Sequence, residues 1–152
     1  MKNYWLMKSE PGAYSIDDLE KDTVTFWDGV RNFQARNFMR DTMQQGDLVL
    51  FYHSNAKPPG VAGIAKVVKT GYPDSTALDK KNKHFDPKSS KEKPIWYMVD
   101  IAFVKKLKRL ISLDELKKNP DLKNMILLKR SRLSVQPVTK QEFEAIIAME
   151  SL

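Results

Sequence analysis

Apolar and polar positions change period several times along this 152-residue chain, and each change marks an element. Asn3 to Lys8 alternates loosely around Tyr4, Trp5 and Leu6 and predicts a strand, which Pro11-Gly12 ends. Ser15 stands before Ile16-Asp17-Asp18-Leu19, a helix start with a capping hydroxyl and acids in the first turn, where the dipole favours them. Thr23 to Trp27 is a short strand, broken by Asp28-Gly29. From Arg31 to Gln44 the spacing of Phe33, Ala35, Phe38, Met39 and Met43 predicts a helix, with Gly46 just past its end. Phe33, Ala35 and Phe38 are expected to face the core.

Three further strands are predicted, over Asp47 to His53, Val61 to Val68 and Pro94 to Lys106. A last one, Leu133 to Val138, alternates and carries Pro137. Ser112-x-x-Glu115 and Thr139-x-x-Glu142 are capping boxes that open two more helices. The connections from Asp47 onward are too short for parallel crossovers, so the strands should pair mostly antiparallel. The predicted fold is α+β: a curved sheet forming a small barrel, flanked by helices, in one domain over residues 1–152.

Composition narrows the function more than the fold. No apolar run is long enough for a transmembrane helix, and no basic-then-apolar leader opens the chain. Cysteine is absent, which excludes disulfides, thiol nucleophiles and thiolate metal sites. The cytoplasm is the simplest location. Net charge is +7, and the excess is uneven. Residues 1–60 hold 7 Lys and Arg against 8 Asp and Glu, whereas residues 61–152 hold 19 against 11. Such a field draws in polyanions, although a solvated lysine surface is the plainer explanation. Thr70 to Lys93 carries six of the lysines with Pro73 and Pro87, and is the weakest segment for order.

No glycine loop of a nucleotide-cradling type is present. His53 and His84, the two histidines, have no acidic cluster beside them, and no serine stands in a nucleophile elbow. No catalytic residue, cofactor or metal is predicted. The better lead is Phe26 to Asn37, where a tryptophan meets Asp28, Gly29, Arg31, Asn32, Arg36 and Asn37. These are parts for holding a planar, hydrogen-bonding ring. Stacking on an aromatic face contributes roughly 1–3 kcal/mol per base. Trp5 and Trp96 are flanked by Tyr and aliphatic residues and suit a core. Lys8-Ser9-Glu10, Tyr52-His53-Ser54-Asn55 and Arg132-Leu133-Ser134-Val135-Gln136 are three polar strand ends. If they converge with Trp27, they form a pocket able to read a base edge.

The ordered blocks Trp5 to Pro11, Trp27 to Asn32 with Ala35-Arg36-Asn37, Phe51 to Ser54, Gly60 to Gly63 and Arg132 to Val138 resemble an EVE domain of the thymocyte nuclear protein family. The resemblance spans nearly the whole chain and is weakest over Thr70–Lys93. It implies a PUA-like β-barrel akin to YTH domains, which hold a methylated adenine in an aromatic cage. It also implies a reader of modified bases in DNA or RNA, modified cytosine above all. By position, Trp27 would stack on the base, and Lys8, Ser9 and Asp28 would line its edge with Asn32 nearby. His53, Ser54 and Gln136 would complete the wall. Arg31, Arg36, Arg132, Lys80 and Lys81 are expected to meet phosphate.

Family members of the thymocyte type often carry a basic N-terminal tail that this chain lacks, which favours the cytoplasm, or the nucleus in a eukaryote. The expected protein is a monomeric, non-enzymatic nucleic-acid-binding module. Two other functions stay open. One is a general RNA-binding module without base selectivity. The other is an enzyme acting on a nucleobase or nucleotide, with Lys8, Glu10, Asp28 or His53 as acid or base.

Overall fold

Among the described residues six strands form one sheet: β1 (Tyr4–Ser9), β2 (Val24–Trp27), β3 (Leu48–His53), β4 (Gly60–Pro73), β5 (Tyr97–Ser112) and β6 (Val135–Val138). Their spatial order is β2-β5-β4-β3-β1-β6. The computed structural model describes residues 2–129 and 132–151. Every neighbouring pair is antiparallel except β1 with β3. The mostly antiparallel α+β expectation therefore holds. The barrel does not close: β2 pairs with β5 alone and β6 with β1 alone, which leaves two edges on an open, curled sheet. Register shifts along β4 and β5 bend the two long strands, because each extra residue kinks its strand. Both strands outrun their predicted lengths.

Alternation sorts the side chains between two cores. Trp5, Met7, Val49 and Phe51 face one side, where α1 (Ile16–Asp22) and α2 (Phe33–Asn37) contribute Ile16, Leu19 and Ala35. Leu6, Leu50 and Tyr52 face the other side. There α3 (Leu113–Lys118), α4 (Ile126–Lys129) and α5 (Lys140–Met149) supply Leu116, Leu127, Phe143 and Ile146. The capping boxes are present as predicted at Ser112/Glu115 and Thr139/Glu142, and a third forms at Ser15/Asp18.

The helix predicted over Arg31–Gln44 is cut at both ends. Asn32 accepts the Ala35 N–H at 3.0 Å and so caps a helix that begins at Phe33. A π-helical turn over Phe38–Thr42 follows, and Met43 is already extended. Gly46 is therefore not a helix cap. It turns the chain into β3 at φ +94°, and its N–H donates to the Val67 carbonyl at 2.8 Å. Phe33 does not face the core: it is 59% exposed, whereas Ala35 is buried and Phe38 packs on Trp5.

The lysine-rich segment is more regular than its composition suggests. Asp74, Asp79, Asn82 and Asp86 each accept the N–H two residues ahead, so local side-chain bonds replace a ladder.

Candidate functional site

The parallel pairing of β1 with β3 sets Ser9 beside His53, and the Ser54 N–H donates to the Ser9 carbonyl at 2.9 Å. β6 starts on the other flank of β1, where the Lys8 N–H donates to the Ser134 carbonyl at 2.9 Å. The three polar strand ends thus converge on one end of the sheet. They do not all face the same way. Ser9 and His53 share the face of Met7 and Phe51, which is also the face of Trp27. Lys8 shares the face of Leu6 and lies 5.8 Å from the Tyr52 ring. Gln136 is opposite Leu6 in the register and fully buried, and its amide donates to the Leu133 carbonyl. Lys8 and Gln136 are therefore separated by the sheet from the Trp27 side.

Trp27 is the inward residue at the end of the edge strand β2, and it lies deeper than the sequence suggests. It is 9% exposed, and its ring meets Phe51 edge-on at 5.6 Å. Phe51 meets His53 in the same manner at 5.8 Å. His53 Nε2 accepts the Ile16 N–H at 3.1 Å, which ties the start of α1 to β3. Burial lowers the His53 pKa, in line with a neutral ring that must offer a lone pair. The Ser9 hydroxyl donates to the Tyr14 carbonyl at 2.6 Å. Burial also lowers the Lys8 pKa.

Asp28 is half-buried at the mouth of this face. Among the described residues its carboxylate makes no hydrogen bond, and its ionic neighbour is His84 Nδ1 at 3.6 Å. The His84 ring lies over Gly29, where a Cβ would meet it at 2.5 Å. At φ +77° the backbone of Gly29 also disfavours any side chain. Asp74 accepts the Gly29 N–H at 2.9 Å and pairs with Arg31 at 3.0 Å. Burial opposes ionisation of Asp74, but bonds from the Thr76 hydroxyl, Gly29 and Arg31 prevail and hold its pKa below the ordinary value. The segment from Asp74 to Trp96 is thereby strapped across Gly29 to Arg31.

Arg31, expected at phosphate, is committed to this strap. Its guanidinium donates to the His84 carbonyl at 2.6 and 3.2 Å and to the Val30 carbonyl at 3.0 Å, and it lies 5.2 Å over the Trp96 ring. Arg36 donates to the Ile95 carbonyl at 2.6 Å but remains part-exposed. The acceptor of Asn32 is engaged by its helix cap. Arg132, Lys80 and Lys81 are exposed. Among the described residues no cluster of His, Asp and Glu could hold a metal ion. A cavity of about 560 Å³ lies at the far end of β1, between Tyr4, Trp5, Phe38, Pro137 and Val138, and none of the expected site residues lines it.

Sequence reasoning missed Phe33, Trp96, His84 and Asp74. Trp96 is buried as expected, at 6% exposed, but packs outside the two main clusters: its indole N–H donates to Asp86 at 2.6 Å, and Phe33 stacks on it at 4.9 Å. The i, i+3 pair Phe33 and Arg36 was the available signal. Nothing in the order of residues links Asp74 to Gly29, 45 positions away.

The EVE domain family model matches residues 3–149. Human thymocyte nuclear protein 1 is 46% identical, over 99% of this chain and 75% of that protein. A solved hypothetical protein from Leishmania major is 53% identical, with a TM-score of 0.96 over 99% of this chain and 96% of its own. The human THYN1 protein, solved in complex with DNA containing 5-methylcytosine, is 46% identical with a TM-score of 0.93, over 99% of both chains.

Proposed function

The chain belongs to the EVE-domain family, and from that premise we propose that it binds nucleic acid and reads a modified base, with 5-methylcytosine in DNA as the favoured target. The observation that carries this is the likeness, over 99% of both chains, to the human protein solved with methylcytosine DNA. The site supports it chemically. Cytosine offers an exocyclic amine where thymine offers a carbonyl, and the Asp28 carboxylate, free of hydrogen bonds among the described residues, is an acceptor suited to that amine. The added methyl would be buried toward the Trp27 and Phe51 rings, a gain of about 0.8 kcal/mol. Ser9 and His53 sit on the same face, whereas Lys8 would act only at the end of the strands and the fully buried Gln136 would only support them. Arg132, Lys80 and Lys81 are exposed and would meet phosphate without reading sequence.

No helix among the described residues is long and apolar enough to cross a membrane. The relatives are named nuclear proteins, so a nuclear setting fits as well as the cytoplasm. The reading needs a binding pocket and no turnover.

Indole resonances test it. The three tryptophans report separate places: Trp5 on Asp47 at the far end of β1, Trp96 on the strap, and Trp27 at the proposed site. On titration with a short DNA strand carrying one 5-methylcytosine, the Trp27 indole signal should move and that of Trp5 should stay. A silent Trp27, with shifts confined to the lysine-rich segment, would mean surface binding without a pocket.

A further inference from the structure

Among the described residues two phenylalanines leave more than half of their surface in water, Phe26 and Phe33, and Phe33 is the one whose ring is backed by a second ring. Phe33 is the first residue of α2, follows the cap Asn32, and leaves 59% of its surface in water. One side of its ring is stacked on Trp96 at 4.9 Å and 24°. Trp96 is itself immobilised from two directions, by its bond to Asp86 and by the Arg31 guanidinium over its ring. Phe33 therefore rests on a rigid support. The Arg36 guanidinium lies 5.0 Å from the Phe33 centroid and 6.0 Å from that of Trp96. One turn further, Arg40 lies 5.8 Å from the Tyr97 ring but is paired at two points with Asp41, at 2.8 and 2.9 Å. The surface thus sets an exposed flat ring beside the Arg36 cation, the pattern that holds single-stranded nucleic acid by stacking and phosphate pairing. A protein partner of matching acidity would need no exposed flat ring backed by a second one.

We infer that Phe33, with Arg36 beside it, is a second stacking station that takes a nucleobase flanking the one read at Asp28 and Trp27. This rests on the base-reading proposal above. Phe33 follows Asp28 by five residues, at most about 18 Å of backbone, so a strand of a few nucleotides reaches both. Such a station accepts any base, because every base has a π-face. It raises affinity and leaves the preference for the modified base to the first site.

The test is a Kd matrix at fixed salt. Short DNA strands carry one 5-methylcytosine or one cytosine, and each is made with intact or abasic flanking nucleotides. They are titrated into the wild type, Phe33→Ala, and Phe33→Leu, which still shields Trp96. The wild type should lose roughly tenfold or more when the flanks are abasic. Both variants should bind intact strands weaker by a similar factor and be indifferent to abasic flanks, with the methylated-to-unmethylated ratio kept. Wild-type affinity in both variants, or an abasic penalty that survives in them, overturns the station and leaves Phe33 as a cover for Trp96. A methylation ratio of one with the Phe33 dependence intact would sink base reading and leave the station standing. No binding of any strand removes both.

Discussion

Asp47 shows how much one buried side chain carries here. It is 1% exposed and accepts from the Asn3 N–H at 3.0 Å, the Trp5 indole at 2.9 Å and the Gln44 N–H at 2.8 Å. Asp47→Asn keeps the shape but turns an amide donor toward one of those donors. We expect a loss of about 2–3 kcal/mol in chemical denaturation, with the fold retained. His53 makes a prediction in pH. Its folded pKa is lowered by burial, so the native state binds fewer protons than the unfolded chain. The stability it contributes is complete above the unfolded value of about 6.5 and is lost as pH falls through the folded value. Comparing wild type with His53→Gln across that window should show a fall in stability on the acid side in the wild type alone. At this scale the sequence was legible where one residue decides its own environment, as at the helix caps. It misled at Phe33, because Phe33 and Ala35 are two residues apart and two-residue neighbours on a helix never share a face. Once Asn32 caps the helix, Ala35, Phe38 and Met39 form the apolar stripe without Phe33.

Among the elements, the strap from Asp74 to Trp96 fixes the geometry at Asp28. Its anchors are Asp74 on Gly29 and Arg31, His84 over Gly29, and Trp96 under Arg31. Asp74→Ala removes four accepted hydrogen bonds at once. Amide exchange over residues 74–96 should then rise well above that of β3 and β4. Gly29→Ala attacks the same joint from the other side, combining positive φ with a Cβ that meets the His84 ring. It should cost about 1–3 kcal/mol and weaken base binding along with the strap. Strand and helix identities were readable because period and capping are local. The anchors were not, since each joins residues more than 40 positions apart and no pattern of apolar residues encodes a hydrogen bond across that distance. The polar ends of β1, β3 and β6 were readable one by one, but neither their convergence nor the sheet that divides Lys8 and Gln136 from Trp27 was. That division follows from the period of two once the register is known.

The whole molecule is an open, curled sheet with helices on both faces and a charge of +7. In the proposed reading the charge governs affinity, not choice. Neutralising Lys80 and Lys81 together should weaken all strands alike and flatten the dependence of log K on log salt, by about 0.7 for each phosphate that no longer meets a cation. In the proposed reading the choice of base belongs to Asp28 and Trp27, and one comparison isolates it. Affinities are measured for three DNA strands that differ at one position, cytosine, 5-methylcytosine or thymine. Thymine keeps the methyl and replaces the amine with a carbonyl, so it separates the two contributions. The account predicts 5-methylcytosine tightest, cytosine about fourfold weaker, and thymine weakest of all. Equal affinity for the three strands would contradict it.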